Sequence, residues 1–441
     1  MKMENKDDLY KRSARNASWN TIDYFVMPVL LLATTPFLVH RLGIEQYGIW
    51  MLVNSLAGMM GIVNPCFGDA AIKFVAHYRA RNEIAGALRI ARTVFTIYVF
   101  WASITFAIIY LAAPFLINYV FKVDVGMRAI AVTAIRLGGA AFALRFFESV
   151  CSSTLRGFER YDFASAANIF TKVSVIGSAV FLVGFGYGVI EILVAILVIT
   201  NISILIQGYL AQRLLNGVFY KPIFDIGSLK EVSGFGFWRW LQEMTSAVFL
   251  QSDRFLISAI LGTGMLTYYA VCLQIAQQAY RLLSATASFI FPVASALNSG
   301  GETGKLQKLY SQSTTLIAIS AVVIIAPLYF LASPILTVLM GGDFAHIAAP
   351  TLKLLILAYG AYSLTIIPSS FLNGIGLVKI NVFFGAISAI IVVAASIILL
   401  PRIGIMGAGW AHIVNIITVI GLMYKTRTLI FYGAKKETLA A

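Results

Sequence analysis

The chain of 441 residues is short of charge: Asp, Glu, Lys and Arg make up 12% of it, about half the roughly 25% usual in soluble proteins. With a mean hydropathy of +0.85, that shortage excludes a soluble globular fold. Cysteine is scarce too, and Cys66, Cys151 and Cys272 all sit in apolar runs, so a disulfide framework is excluded in favour of core packing. The four histidines, His40, His77, His346 and His412, are dispersed without metal-ligand spacing. No Gly-x-Ser-x-Gly elbow is present. GETGK at 301–305 is no phosphate loop, because Ser299 stands where the first Gly belongs and Leu306 follows Lys305. GFGYG at 184–188 follows no soluble strand and reads as a hairpin between spans. Every gap between apolar runs is too short for a soluble catalytic domain. An enzyme is therefore not expected, no cofactor is called for, and energy must come from a gradient, a partner or the cargo.

What the chain has in quantity is hydrophobic residues, 59% of it. Runs of about 20 apolar residues, enough to cross about 30 Å of hydrocarbon as helix, recur along the whole length. Twelve spans are predicted, near 17–39, 47–64 continuing to 78, 88–112, 128–154, 162–184, 190–213, 236–261, 267–297, 307–333, 350–373, 377–400 and 405–426. The fold class is an all-α polytopic membrane protein. The N-terminal segment lacks a small-residue cleavage site and is expected to stay attached. The net charge of +14 is not a nucleic-acid footprint, since the basic residues gather at helix ends. They concentrate at the N-terminus, near 79–92, 156–160, 213–239, 305–308 and 379, and in the tail, which predicts that both termini are cytoplasmic.

A repeat underlies the spans. Leu42-Gly43 returns as Leu261-Gly262, LAAPFL at 111–116 as LASPIL at 331–336, and SSTLRG at 152–157 as SSFLNG at 369–374. The separation along the chain is nearly the same for all three. Collinear matches at a near-constant offset argue for two six-helix repeats around a central cavity. The expected organisation is a cytoplasmic segment 1–16, an N-terminal lobe 17–213, a cytoplasmic linker 214–234, a C-terminal lobe 235–428 and a cytoplasmic tail 429–441. Pro28, Pro65, Pro292 and Pro368 fall inside spans, where each removes a backbone hydrogen bond and is expected to kink or break the helix.

Charges inside spans are expensive, about 2.5–3.5 kcal/mol each at mid-helix, and therefore mark partners, water or function. On the seventh span Arg239, Glu243, Ser246, Asp253 and Arg254 share an arc of about 100°, and on the eighth Gln274, Gln277, Gln278, Arg281 and Ser288 do the same. The fourth span carries Arg145, Glu148, Ser149, Ser152 and Arg156, the fifth Ser165, Asn168 and Lys172, and the first Asn16, Asn20 and Asp23. Local neutralisation is the plain alternative for Asp69 with Lys73 and for Arg145 with Glu148, which have helical pair spacing. Arg239, Arg156 and Lys73 lie near span ends, where they can snorkel. Lys172, Arg254 and Arg281 lie deeper. Guanidinium and ammonium groups suit phosphate, while amides, hydroxyls and the aromatic Trp240, Tyr268 and Tyr280 suit a sugar. The chemistry points to an anionic, hydroxyl-rich cargo.

RLGIEQYGIW at 41–50, FGDAAIKFVAHYRAR at 67–81, LRGFERYD at 155–162 and the duplicated twelve-span plan resemble the polysaccharide repeat-unit flippases, the Wzx-type O-antigen flippases. These belong to the superfamily that also holds the multidrug extruders. The resemblance covers nearly the whole chain. It implies an extruder-like fold in the inner (cytoplasmic) membrane and a cargo of oligosaccharide on undecaprenyl pyrophosphate, moved from the cytoplasmic to the periplasmic leaflet by alternating access. On that reading Arg145, Lys172, Arg254, Arg281 and Lys73 meet the substrate, and Asp23, Asp253, Glu243 and Asp69 are candidates for a coupling proton or Na⁺. The pathway's polymerase and chain-length proteins are the implied partners, and a monomer is the simplest state. An ion-coupled drug or metabolite antiporter of the same superfamily shares fold and span count. A membrane glycan polymerase or ligase would need a large periplasmic loop.

Overall fold

A computed structural model describes the backbone of residues 6–59, 62, 67–217, 221–223, 225–287 and 290–433. The side chains of 6–29, 31–32, 226, 228–239, 292 and 432–433 lie outside the described residues, as do Pro65 and Cys66. All described regular structure is helical. The first part of the chain holds α1 Lys6–Met59, α2 Phe67–Ala80, α3 Ile84–Phe115, α4 Arg128–Gly157, α5 Tyr161–Gly184 and α6 Val189–Leu215. The second holds α7 Ile226–Ile260, α8 Thr263–Thr286, α9 Ile290–Ser299, α10 Thr303–Phe330, α11 Ala332–Met340, α12 Gly342–Ser363, α13 Ile366–Gly374, α14 Val378–Ile403, α15 Met406–Val414 and α16 Ile416–Thr428. Eight of the described helical stretches are long and apolar enough to cross a membrane. Each of the twelve expected spans is represented by helix, several as two helices in tandem.

The helices form two compact units, Met1–Trp240 and Leu241–Ala441. Helix α7 begins at Ile226, inside the stretch expected to be linker. In the first unit α4 packs on α2, α3 and α6, and in the second α12 packs on α8, α10, α11 and α15. The first core is built from Ala70, Ala71, Val75, Ala87, Ala91 and Val94, closed by Tyr98, Phe142 and Phe146. Small residues dominate because lipid tails are as apolar as Leu, so helices gain by close backbone approach rather than by hiding area from water.

The repeat is written into the backbone. Gly43 has φ 79° and ψ 164°, and its counterpart in the second unit, Gly262, has φ 100° and ψ 169°, a region essentially closed to residues with a Cβ. Three further left-handed positions recur in the same way: Asn82 with Gly301, Glu159 with Gly376, and Gly186 with Gly404. Close contacts recur too. A Cβ on Gly157 would fall 2.7 Å from Val75 Cγ1, and one on Gly374 would fall 3.1 Å from Ala294 Cβ. Val75 and Ala294 stand at the same offset as Gly43 and Gly262, so each glycine meets the corresponding residue of its own unit.

The prolines follow expectation in part. Helix α1 runs on through Pro28 and loses helical geometry only at Gly43. The spans that hold Pro292 and Pro368 are each divided into two helices beside the proline, which then sits in the first turn of α9 or α13, where a missing N–H leaves no helical bond unmade. The two motif runs at 67–81 and 155–162 meet: Arg79 pairs with Glu159 at 3.0 Å and reaches the Gly157 carbonyl at 3.4 Å. Arg160 grips Asp162 through two bonds of 3.2 Å.

Because nothing but hydrogen fits between α2 and α4, Gly157→Leu is expected to cost about 1–3 kcal/mol through overpacking. A lowered melting temperature of the purified protein in detergent checks this, with Gly126→Ala, which has open space around it, as the neutral control.

Candidate functional site

The second unit buries a carboxylate. On α7 the residues Thr245, Ser246, Phe249 and Asp253 follow one another at intervals of one to four, so they lie along one helix face, and Asp253 is fully buried at 0% exposure. Its Oδ2 accepts from the hydroxyl of Tyr269 on α8 and lies 3.2 Å from Nε2 of His412 on α15. Its Oδ1 accepts the backbone N–H of Arg254 at 2.7 Å. Gln277 on α8 donates to the Tyr359 hydroxyl on α12 at 3.1 Å, and the Tyr359 and His412 rings lie 5.6 Å apart. A buried carboxylate needs such partners, since an unpaired one would cost several kcal/mol.

Beside this network lies a cavity of about 210 Å³. One wall is aromatic: Phe249 stacks on Tyr362 with centroids 5.0 Å apart, and Tyr280 lies 5.2 Å from Tyr362. The remainder is largely hydroxyl and amide, from Thr245, Ser246, Thr365, Ser369, Asn381 and Ser388 among others. Phe249 also presents its edge to the His412 ring at 5.5 Å, so one aromatic side chain touches both the cavity and the acid network.

The residues singled out from the sequence fall in several places. Asp253 and Arg254 are together, and Arg254 holds Gln251 at 3.2 Å through Nη1 while its buried Nε–H has no acceptor among the described residues. Glu243, further back on α7, and Arg281 on α8 are half-buried and do not line the cavity. In the first unit Arg145 on α4 and Asp69 and Lys73 on α2 are exposed, and Lys172 on α5 is half-buried. Lys73 lies over the Phe74 ring at 5.4 Å. The side chain of Asp23 lies outside the described residues. Glu148, expected beside Arg145, accepts from Ser203 on α6 at 3.0 Å. The sequence reading missed His412, Tyr269 and Tyr359. His412 was set aside for want of metal-ligand spacing, yet an imidazole in the run GAGWAHIV is itself an intramembrane ionisable group and signals a partner.

Comparison with known proteins fixes the relationship. The profile of the family described as "Polysaccharide biosynthesis protein" matches residues 82–349, more than half of the chain. The chain belongs to that family. Over 407 residues it is 20% identical to the "Putative O-antigen transporter" of Shigella flexneri, covering 91% of this chain and 94% of the relative. Its fold is that of known transporters. An inward-facing multidrug resistance MATE family transporter of the MOP superfamily superposes with a TM-score of 0.79 at 16% identity, covering 95% and 99% of the two chains. A MOP superfamily transporter from Pyrococcus furiosus gives 0.68 at 17% identity, with 95% coverage of each. The likeness to the flippase superfamily drawn from the motifs therefore stands, as does the twelve-helix, two-repeat layout.

Tyr269 supplies one of the donors on a fully buried carboxylate, so Tyr269→Phe is expected to lower stability by about 1.5–3 kcal/mol without altering shape. Thermal unfolding of the purified variant, compared with Tyr268→Phe on the same helix, reads the difference.

Proposed function

We propose that this chain is a flippase, not an enzyme, that carries undecaprenyl-pyrophosphate-linked oligosaccharide from the cytoplasmic to the periplasmic leaflet by alternating access. It works in the cytoplasmic membrane, as a monomer with both termini cytoplasmic, for O-antigen or a related surface polysaccharide. One observation carries the reading: a member of a polysaccharide biosynthesis family is built on the frame of known transporters. A drug antiporter would share the frame but not the family.

In this reading the cationic residues Arg145, Lys172, Arg254, Arg281 and Lys73 meet the pyrophosphate and any acidic sugar. Arg254 has the strongest claim, because a buried guanidinium donor without an acceptor is costly until an anion supplies one. Among Asp23, Asp69, Glu243 and Asp253, the last is the best coupling site. Both of its oxygens already face hydrogen donors, from Tyr269, His412 and the Arg254 amide. The groups already in contact with the carboxylate can pass a proton among themselves, whereas Na⁺ would need the same lone pairs together with further oxygens. The coupling ion assigned to Asp253 is therefore a proton, exchanged within a set that includes His412, Tyr269, Tyr359 and Arg254. Rocking between states exposes that set to alternate sides.

Deleting the gene in a strain that makes a surface polysaccharide is expected to abolish the surface glycan and to trap its lipid-linked unit on the cytoplasmic side. Unchanged glycan without that build-up would overturn the transport reading. In proteoliposomes, Asp253→Asn is expected to remove the response of transport to a pH gradient while leaving the response to Na⁺ unchanged, and a gradient response equal to wild type would remove Asp253 from coupling.

A further inference from the structure

We infer that the cavity enclosed by α7, α8, α12, α13, α14 and α16 binds one uncharged sugar ring of the cargo, separately from the cationic groups that meet its phosphates. The choice of a sugar rests on the transport reading above, and the chemistry of the lining refines it. Hydrogen bonds already made fix which way four of the lining hydroxyls point. Thr245 donates to the Gln242 carbonyl, Thr365 to the Tyr362 carbonyl, and Thr418 to Asn415, which leaves Ser388 to donate to Thr418. Their hydrogens are committed to the protein, so toward the cavity these groups offer lone pairs. Asn381 adds to this: it is 8% exposed, its amide nitrogen donates to Ser369 and Asn373, and its Oδ1 has no donor.

A wall rich in acceptors selects a ligand rich in donors. Pyranose hydroxyls are donors, whereas the oxygens of an ionised phosphate are acceptors and would meet this wall lone pair to lone pair. Among the described residues, none of the side chains lining the cavity is ionisable except the tyrosines, which sets no counter-charge against a phosphate or a uronate there. The rings of Phe249, Tyr280 and Tyr362 in the wall add apolar surface for the C–H groups of a sugar ring. Size sets the limit. About 210 Å³ is below the roughly 300–1,000 Å³ of pockets for drug-sized ligands, which suits one ring inside the cavity.

The test is saturation-transfer difference NMR on the full chain in lipid nanodiscs. The probes are the methyl glycosides of glucose, galactose, N-acetylglucosamine and rhamnose, with inorganic pyrophosphate and methyl glucuronide as competitors. Transfer to at least one neutral glycoside above the empty-nanodisc background is expected. It should be undiminished by pyrophosphate or glucuronide and lost in Ser246→Phe, which fills the cavity, or in Tyr362→Ala, which removes its aromatic wall, whichever keeps the wild-type melting transition. Transfer to none of the four glycosides, displacement by pyrophosphate, or full signal in both folded variants would overturn the inference. If both variants misfold, the wild-type panel and the competition decide it alone. Failure here would leave the gene-deletion phenotype untouched, and a deletion without phenotype would sink the transport reading while leaving sugar binding measurable.

Discussion

No water reaches the hydrocarbon region to satisfy a stray amide or carbonyl, so a chain that crosses it many times must keep its backbone bonds inside helices. That constraint concentrates conformational choice at the few places where helices end. In this protein those places are used twice over: Gly43 and Gly262 share a conformation open only to glycine, and three more left-handed positions recur between the units at nearly the same offset along the chain. The sequences around them have diverged, so that Asn82 corresponds to Gly301 and Glu159 to Gly376. What has been kept is the set of turns, together with the close approach that Gly157 and Gly374 allow their partner helices.

Against that shared backbone the polar content is lopsided. The offset that relates Gly43 to Gly262 places Thr34, Trp50 and Gly58 of the first unit opposite Asp253, Tyr269 and Gln277, and the offset of the SSTLRG and SSFLNG runs places Phe142 opposite Tyr359. The offset that relates Gly186 to Gly404 places Val194 opposite His412. At these positions the first unit therefore carries no acid, imidazole or tyrosine. Replacing a buried charged network with apolar side chains is often neutral or stabilising, so the network in the second unit is not something the fold demands. This asymmetry is the strongest argument that Asp253 and its partners are there for what they do.

The helices were legible because their signal is coarse: about 20 apolar residues announce a span whatever surrounds them. The repeat was legible from three short matches, since those fell at helix ends, where few residue types are permitted. The site was less legible, for a physical reason. Asp253 was visible as a charge in an apolar run, but its partners Tyr269 and His412, and Tyr359 beside the His412 ring, come from three other helices. Tyrosine and histidine are amphipathic enough to pass as ordinary packing when read one helix at a time. The proline reading held at α9 and α13 and not at Pro28. A proline in the first turn of a helix removes a bond that was never to be made, and only the start of α9 and of α13 tells that case from a kink.

The placement of the cavity ties these threads together. Phe249 stacks on Tyr362 at the cavity wall and meets the His412 ring with its edge, one helical turn before Asp253 on the same helix. Filling the cavity and changing the proton count on the acid network therefore act on the same packed aromatic side chains. Interiors packed at the density of organic crystals do not absorb such changes locally; a ring that must move takes its neighbours along. A ligand can shift a conformational equilibrium only by the difference in its affinity for the two states, and a shared wall is a direct way to create that difference for both ligand and proton. Because coupling is reciprocal, a wall through which the acid network acts on the cavity also lets an occupant of the cavity act on the network around Asp253.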